Sequence, residues 1–149
     1  MQLLTFSLGG VDFAVPLKHI GHVERRNNKI VELPSASTHI KGIVTVRGEI
    51  LPVYSLASRF GYSEDKLEYF IILKVEGMRF GIEVDMVNAV IDTGRMESFL
   101  LSPLLSGEDN CLKNIISLRH KQLIILIDVS NLIQQEERGE INRLIASNM

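Results

Sequence analysis

The two halves of this 149-residue sequence follow one pattern of apolar residues. Each half opens with two runs of alternating apolar and polar residues, joined by Gly9-Gly10 in the first half and Glu76-Gly77 in the second. Alternation with a period of two is typical of β-strands, and a two-residue turn containing glycine between two such runs predicts a hairpin. The segment Phe13 to Leu17 returns as Phe80 to Val84, about 67 positions later.

The match continues to the end of each half. The segment Ile40 to Arg47 corresponds to Leu112 to Arg119, and Ile50 to Leu56 corresponds to Leu123 to Val129. A duplication of this length, with about five short strands in each copy, predicts two small β-barrels that pack together. Each barrel alone would bury too little of its surface to be stable.

The expected fold class is therefore all-β with minor helix. We expect one barrel over residues 1–62 and the other over residues 63–133, with an exchange of terminal strands left open. Residues 134–149 are expected to form a C-terminal helical extension, with Ser130 as a candidate N-cap and Gly139 as a candidate break. A short helix is expected over Ser55–Phe60. Four phenylalanines lie at inward positions of the alternation and are predicted to be core: Phe6, Phe13, Phe70 and Phe80.

Composition excludes several functional classes. The net charge is −2, with 16 Lys and Arg against 18 Asp and Glu, which is a poor basis for binding nucleic acid. The longest aliphatic block, Leu123 to Ile127, is far shorter than the roughly 20 residues of a membrane-spanning helix. The start of the chain does not resemble a signal peptide, and the single cysteine, Cys111, cannot form an internal disulfide. We therefore expect a cytoplasmic protein without membrane insertion.

Residues that could support catalysis or metal binding are few. Cys111, His120 and Asp128 could in principle supply a nucleophile and its partners, but three such residues occur readily by chance. His19 and His22 have the spacing of two ligands on one helical face, without the cysteine or carboxylate partners typical of a metal site. Glycine-rich phosphate-binding loops are absent from the sequence. We expect no enzyme activity, no metal and no cofactor.

The dipeptide Arg47-Gly48 falls where a tight turn is expected between two strands. Glycine supplies the backbone freedom of the turn, and the arginine projects from its tip. The residues alone leave two interpretations open. The guanidinium is either simply solvated or makes a bidentate contact with a carboxylate or carbonyl of a partner protein.

The segment around this turn resembles the signature of the CheW family of chemotaxis coupling proteins. It reads Ile40-Lys41-Gly42-Ile43-Val44-Thr45-Val46-Arg47-Gly48, followed by Leu51-Pro52-Val53 and Leu56. The resemblance extends over about residues 3–133. It implies two SH3-like five-stranded barrels and a non-enzymatic adaptor. Its implied partners are the regulatory domain of a CheA-type histidine kinase and the cytoplasmic tip of methyl-accepting chemoreceptors.

The resemblance also implies which residues bind partners. Arg47 corresponds to the arginine of the family motif, flanked by Gly42 and Gly48. Apolar residues Leu17, Ile20 and Val23 are candidates for one wall of a groove, and their repeat equivalents Val87 and Val90 for the other. The alternative, that all five fill the cores of the barrels, stays open. The sequence departs from the family at Thr45, Ser55, Asn114, His120 and His22, the last replacing an acidic residue of many relatives. An adaptor in a pilus-type or other two-component pathway, and a ligand-binding double-barrel module, stay open as alternatives.

Overall fold

The computed structural model describes residues 1–27, 29–33, 39–95, 97–100, 111–117, 122–133 and 135–147 of the chain. Its strands are β1 (Gln2–Leu8), β2 (Val11–Pro16), β3 (Ile20–Arg25), β4 (Val31–Glu32), β5 (Ile40–Val46), β6 (Glu49–Tyr54), β7 (Tyr69–Val75), β8 (Met78–Val84), β9 (Met86–Asp92), β10 (Glu97–Leu100), β11 (Leu112–Ser117) and β12 (Leu123–Ile127). The α-helices are α1 (Leu56–Phe60) and α2 (Gln135–Ser147), and short 3-10 turns lie at Leu17–His19, Thr93–Arg95 and Val129–Asn131. The predicted class, mostly β with a C-terminal helix, is confirmed.

The strands form two six-stranded sheets that each combine both halves of the chain. The first sheet has the order β10-β11-β12-β2-β1-β9, and the second has the order β3-β7-β8-β6-β5-β4. The opening hairpin of each half therefore lies in the sheet built mainly by the other half. Strand pairing does not follow a boundary near residue 62, because the two hairpins are exchanged.

The registers of the two sheets are equivalent residue by residue. Val53 lies opposite Gly81 where β6 pairs in parallel with β8, and Leu126 lies opposite Ala14 where β12 pairs with β2. Both edge pairs also contain a bulge at the same place, at Gly21 in β3 and at Asn88 in β9. Equal registers and equal bulges confirm the duplication predicted from the sequence.

The largest core lies between the two sheets. Phe6 and Phe13 from the first sheet meet Phe80 from the second there, and their exposed fractions are 2% or less. The rings of Phe6 and Phe13 stack with centroids 5.7 Å apart. Phe70 lies on the opposite face of the second sheet, in a smaller core with Val44, Val46, Leu51, Val53 and Ile72. All four phenylalanines predicted to be core are buried.

Both helices lie close to their predicted bounds, although the N-cap predicted for the second one is wrong. Ser55 caps α1 through the Ser58 N–H, and α1 ends at Gly61, whose φ of 78° favours glycine. The predicted N-cap Ser130 is wrong, since the Asp128 side chain accepts from the Ser130 N–H and caps a 3-10 turn instead. Helix α2 begins at Gln135, next to the predicted start of the extension at residue 134, and continues through Gly139 without a break. Burial of Ile141 against the main core outweighs the low helix propensity of one glycine.

A buried polar contact attaches α2 to the second sheet. The hydroxyl of Tyr54 on β6 is 3.4 Å from a carboxylate oxygen of Glu137 and accepts a hydrogen bond from Arg59 Nη1 at 3.2 Å. Tyr54 is fully buried and Glu137 is 4% exposed. Burial is the main cause that raises the pKa of the Tyr54 hydroxyl, and the charge of Glu137 raises it further.

Candidate partner-binding surface

Arg47 occupies the tip of the β5–β6 hairpin. The turn residues Arg47 and Gly48 both have positive φ, 51° and 78°, as a two-residue type I′ hairpin requires. An arginine in the left-handed region is conformationally costly, whereas a glycine is not. The Arg47 side chain is 66% exposed and its Nε forms an ion pair with Glu24 Oε1 on β3. The turn thus presents a guanidinium to solvent beside one carboxylate of β3.

Glu24 has a second neighbour on its own strand. His22 Nε2 lies 3.7 Å from the same oxygen, Glu24 Oε1. His22 is 19% exposed and Glu24 is 27% exposed, so both side chains are largely shielded from water. Arg47, Glu24 and His22 form one contiguous polar group, which we call the turn cluster.

The apolar candidates lie along the edges of the two sheets. On β3, Ile20 lies opposite Leu73 of β7 and Val23 lies opposite Ile71. Their equivalents are on β9, where Val87 lies opposite Phe6 of β1 and Val90 lies opposite Leu4. Because directly opposite residues share a face of a sheet, all four point toward the main core between the sheets. Ile20, Val23 and Val87 pack partly against that core, whereas Val90 is 53% exposed. These four residues, at the margin of the main core, are called the rim.

Leu17 lies in the 3-10 turn before β3 and packs partly against the main core. It also lines a hollow of about 360 Å³ with Met1, Gln2, Pro16 and Lys18. The two glycines of the signature differ in their surroundings. Gly48 has open space around it, whereas a Cβ on Gly42 would lie 2.1 Å from the Val31 carbonyl oxygen. Gly42 is buried, and its missing side chain permits β4 to pair with β5.

A second apolar surface lies at the opposite edge of the second sheet. A hollow of about 410 Å³ is lined by Lys29, Val31, Ile43, Val44, Thr45 and Ile50. Val31 is 55% exposed on β4, a strand of two residues at the end of the sheet, and Ile50 is 37% exposed. We call this surface the edge hollow. This surface was not predicted from the sequence, although Val31 and Ile50 both lie in predicted strands.

A buried carboxylate was also missed. Glu83 on β8 is 1% exposed, and its carboxylate contacts Arg26 Nε at 2.5 Å and Lys41 Nζ at 3.1 Å. Lys41 lies 3.5 Å from a second carboxylate, Glu64. The signal in the sequence was a single acidic residue within an otherwise apolar run, because a buried charge requires a partner.

The residues considered for catalysis or metal binding do not form a site in the described part of the chain. Cys111 is completely buried, and His120 lies outside the described residues. The side chain of Asp128 is engaged in capping the 3-10 turn. Among the described residues, His, Cys, Asp and Glu side chains nowhere group in threes suited to a metal ion.

Comparison with known proteins identifies the family of this fold. Residues 2–137 match the model of the CheW-like domain. The chain belongs to the CheW-like domain family. A chemotaxis protein CheW from Treponema pallidum is 24% identical over 150 residues, covering 96% of this chain and 88% of that protein. The crystal structure of scaffolding protein TtCheW from Thermoanaerobacter tengcongensis superposes with a TM-score of 0.74 and 25% identity, covering 91% of this chain and 94% of that one.

A shorter match is Protein PilI from Pseudomonas aeruginosa, 34% identical over 56 residues, or 38% of this chain and 31% of that protein. Two residues at which the resemblance implies a departure from the family are placed by the structure. Ser55 caps α1 and donates a hydrogen bond to Glu64 at 2.7 Å. His22 lies two residues before Glu24 on β3, and Glu24 supplies the carboxylate that meets Arg47. The described residues contain no helix that is both long and apolar enough to span a membrane.

Proposed function

We propose that this protein is a non-enzymatic adaptor that joins a CheA-type histidine kinase to the cytoplasmic tips of chemoreceptors. The observation that carries the proposal is the presence of two separate apolar surfaces, the rim and the edge hollow. An adaptor needs two binding surfaces that can be occupied together. A CheW-like domain with exposed apolar residues at both places meets that requirement.

The rim is suited to a receptor helix. Val90 is 53% exposed on β9, and the other three rim residues are partly packed against the core. An amphipathic helix binds such a surface through apolar side chains at positions i, i+3, i+4 and i+7. The helical tip of a chemoreceptor has this chemistry, and it would cover side chains that are left partly exposed here.

The edge hollow is suited to the regulatory domain of the kinase, which in the CheW family has the same fold. Two such domains meet through the exposed margins of their sheets. Val31 and Ile50 present apolar area at this margin, and the short strand β4 leaves an edge to which a partner can add. Interfaces of this kind bury about 800 Å² on each partner, which gives modest affinity and favours multivalent assembly.

Arg47 supplies the polar part of the recognition. Its guanidinium can form two parallel hydrogen bonds with a carboxylate of a partner, which adds orientation to the apolar contact. Cys111 is completely buried, so its thiol is not accessible to a substrate. The role as adaptor would be carried out in the cytoplasm.

A second candidate is the same adaptor role in a pilus-type or other two-component pathway. Its support is the match to Protein PilI, which covers 38% of this chain. The T. pallidum chemotaxis protein matches 96% of this chain, and the first candidate is therefore favoured.

Two valines provide an experiment in which each variant is the control for the other. Val90→Asp places a charge on the rim and Val31→Asp places one in the edge hollow, at positions with 53% and 55% exposure. We expect Val90→Asp to lose binding of a receptor-tip fragment and keep binding of the kinase regulatory domain. Val31→Asp should show the reverse. The proposal fails if both variants bind both partners normally, or if either variant with an intact fold loses both.

A further inference from the structure

We propose that His22 makes the contact between Glu24 and Arg47 sensitive to pH, so that protonation of its imidazole releases the Arg47 guanidinium. His22 and Glu24 are two residues apart on β3, after the bulge at Gly21, and therefore lie on the same face of the strand. Glu24 Oε1 is shared, because Arg47 Nε contacts it and His22 Nε2 lies 3.7 Å away.

The neutral imidazole gains little from this neighbour. A distance of 3.7 Å is longer than a hydrogen bond, and His22 Nε2 has no hydrogen-bond partner among the described residues. Histidine is the side chain whose charge ordinarily changes between about pH 5 and 8. An imidazolium at this position would be attracted directly to Glu24, in surroundings that shield it from water.

The other charged groups on this face decide which contact weakens. Arg79 on β8 extends to the β3 bulge at Gly21 and pairs with Glu49 of β6 at 2.6 Å. Lys74 on β7 lies opposite Arg79 in the register. Glu83 on β8 lies on the same face, where it contacts Arg26, two residues beyond Glu24, and Lys41. This face therefore already holds three carboxylates, Glu24, Glu49 and Glu83, and the cations Arg26, Lys41, Arg47, Lys74 and Arg79.

Protonated His22 adds a further cation to these groups. Arg47 is the cation that contacts the same oxygen as His22, and it is the residue at an exposed hairpin tip with 66% of its side chain accessible. Its guanidinium can leave Glu24 for water, or for a partner, without moving a strand. Glu24 then keeps His22 as its counter-ion.

The consequence for binding rests on the proposed function. A released Arg47 is available to a carboxylate on the partner, so affinity should increase as the pH falls over the range in which histidine ordinarily gains a proton. The release itself is a property of the isolated chain and can be tested without a partner.

The first measurement follows the NMR signals of Arg47 Nε–Hε and of the His22 ring in the isolated protein between about pH 5 and 8. We expect the two signals to shift with one common midpoint, and the Arg47 shift to be lost in His22→Asn. His19→Asn, which alters the neighbouring histidine, should leave the shift intact. A constant Arg47 signal while His22 titrates would overturn the proposal, as would a shift that persists in His22→Asn.

The second measurement compares the Kd for the kinase regulatory domain and for the receptor-tip fragment at both ends of this pH range. We expect at least one partner to bind about fivefold or more tightly at the lower pH, with the effect reduced in His22→Asn. If the NMR shifts are coupled and neither affinity depends on His22, the pH-sensitive release stands and the placement of Arg47 in an interface is wrong.

Discussion

Neutralising the buried carboxylate with Glu83→Gln is expected to destabilise the protein strongly. The substitution keeps the size of the side chain and leaves Arg26 and Lys41 facing an amide. Removing one partner of a buried ion pair costs about 3–5 kcal/mol. Arg26 is 34% exposed and Lys41 is 16% exposed and keeps Glu64, so part of the cost is offset. We expect a loss of about 2–4 kcal/mol in the free energy of unfolding.

The chain offers a matched control for this variant. Glu49→Gln breaks the ion pair with Arg79, in which the two side chains are 40% and 36% exposed. Exposed pairs contribute about 0–1 kcal/mol, so this control should be nearly neutral. Urea unfolding followed by circular dichroism measures both variants under the same conditions. If Glu83→Gln is no less stable than Glu49→Gln, the reasoning about the buried carboxylate is wrong.

Three further substitutions test the core, the turn and the buried tyrosine. Phe13→Ala removes a ring that stacks between Phe6 and Phe60 and should lower the free energy of unfolding by about 3–5 kcal/mol. A melting temperature equal to that of the wild type would show that the assigned packing is wrong. Arg47→Glu should leave the melting temperature nearly unchanged but weaken complex formation with kinase and receptor by about 1–3 kcal/mol. The control Arg143→Glu, at an exposed position, should not weaken complex formation. Normal pull-down of both partners by Arg47→Glu would refute the role of Arg47. The raised pKa of Tyr54 means that the unfolded chain loses the hydroxyl proton at a lower pH than the folded chain. The contribution of this hydroxyl to the free energy of unfolding is therefore complete below about pH 10 and is lost as the pH rises further. Between about pH 9 and pH 11 the wild type should lose more of its free energy of unfolding than Tyr54→Phe, and equal losses would contradict the assignment.

The strands and the duplication could be predicted because alternation and spacing are local properties of the sequence. Strands β5 and β6 have the predicted bounds, Ile40–Val46 and Glu49–Tyr54. The pairing of strands is not local. The run Val11 to Val15 has the same alternation whether it pairs with its own half or with the other, so the exchange of hairpins was left open.

The buried ion pairs of Glu83 and the N-cap of the C-terminal helix could not be predicted from local sequence patterns. Glu83 lies at a position where the repeated pattern does not require an apolar residue. Its partners are far from it in sequence, since Arg26 follows β3 and Lys41 lies on β5. Their proximity depends on the packing of the second sheet. The N-cap was misassigned because Ser130 is a good capping residue by type, but it lies within the 3-10 turn that Asp128 caps, before α2 begins at Gln135.

The candidate site was predicted in part. Arg47 was placed correctly at a hairpin tip, because Arg-Gly at a turn between two strands is a strong local signal. Its carboxylate neighbour Glu24 lies on an earlier strand, and nothing in the spacing indicates that contact. The partner-binding roles of the rim residues and of Gly42 and Gly48 stay predictions, although the buried position of Gly42 favours a structural role.

The most direct test of the adaptor role is whether the protein recruits the kinase to receptors. Vesicles carrying the receptor are mixed with a fixed amount of kinase and increasing amounts of this protein, and the kinase that sediments with the vesicles is measured. A two-site adaptor predicts that recruitment rises, passes through a maximum and falls when excess adaptor occupies both partners separately. If no kinase sediments at any concentration, while each partner is shown to be folded, the protein does not bridge them.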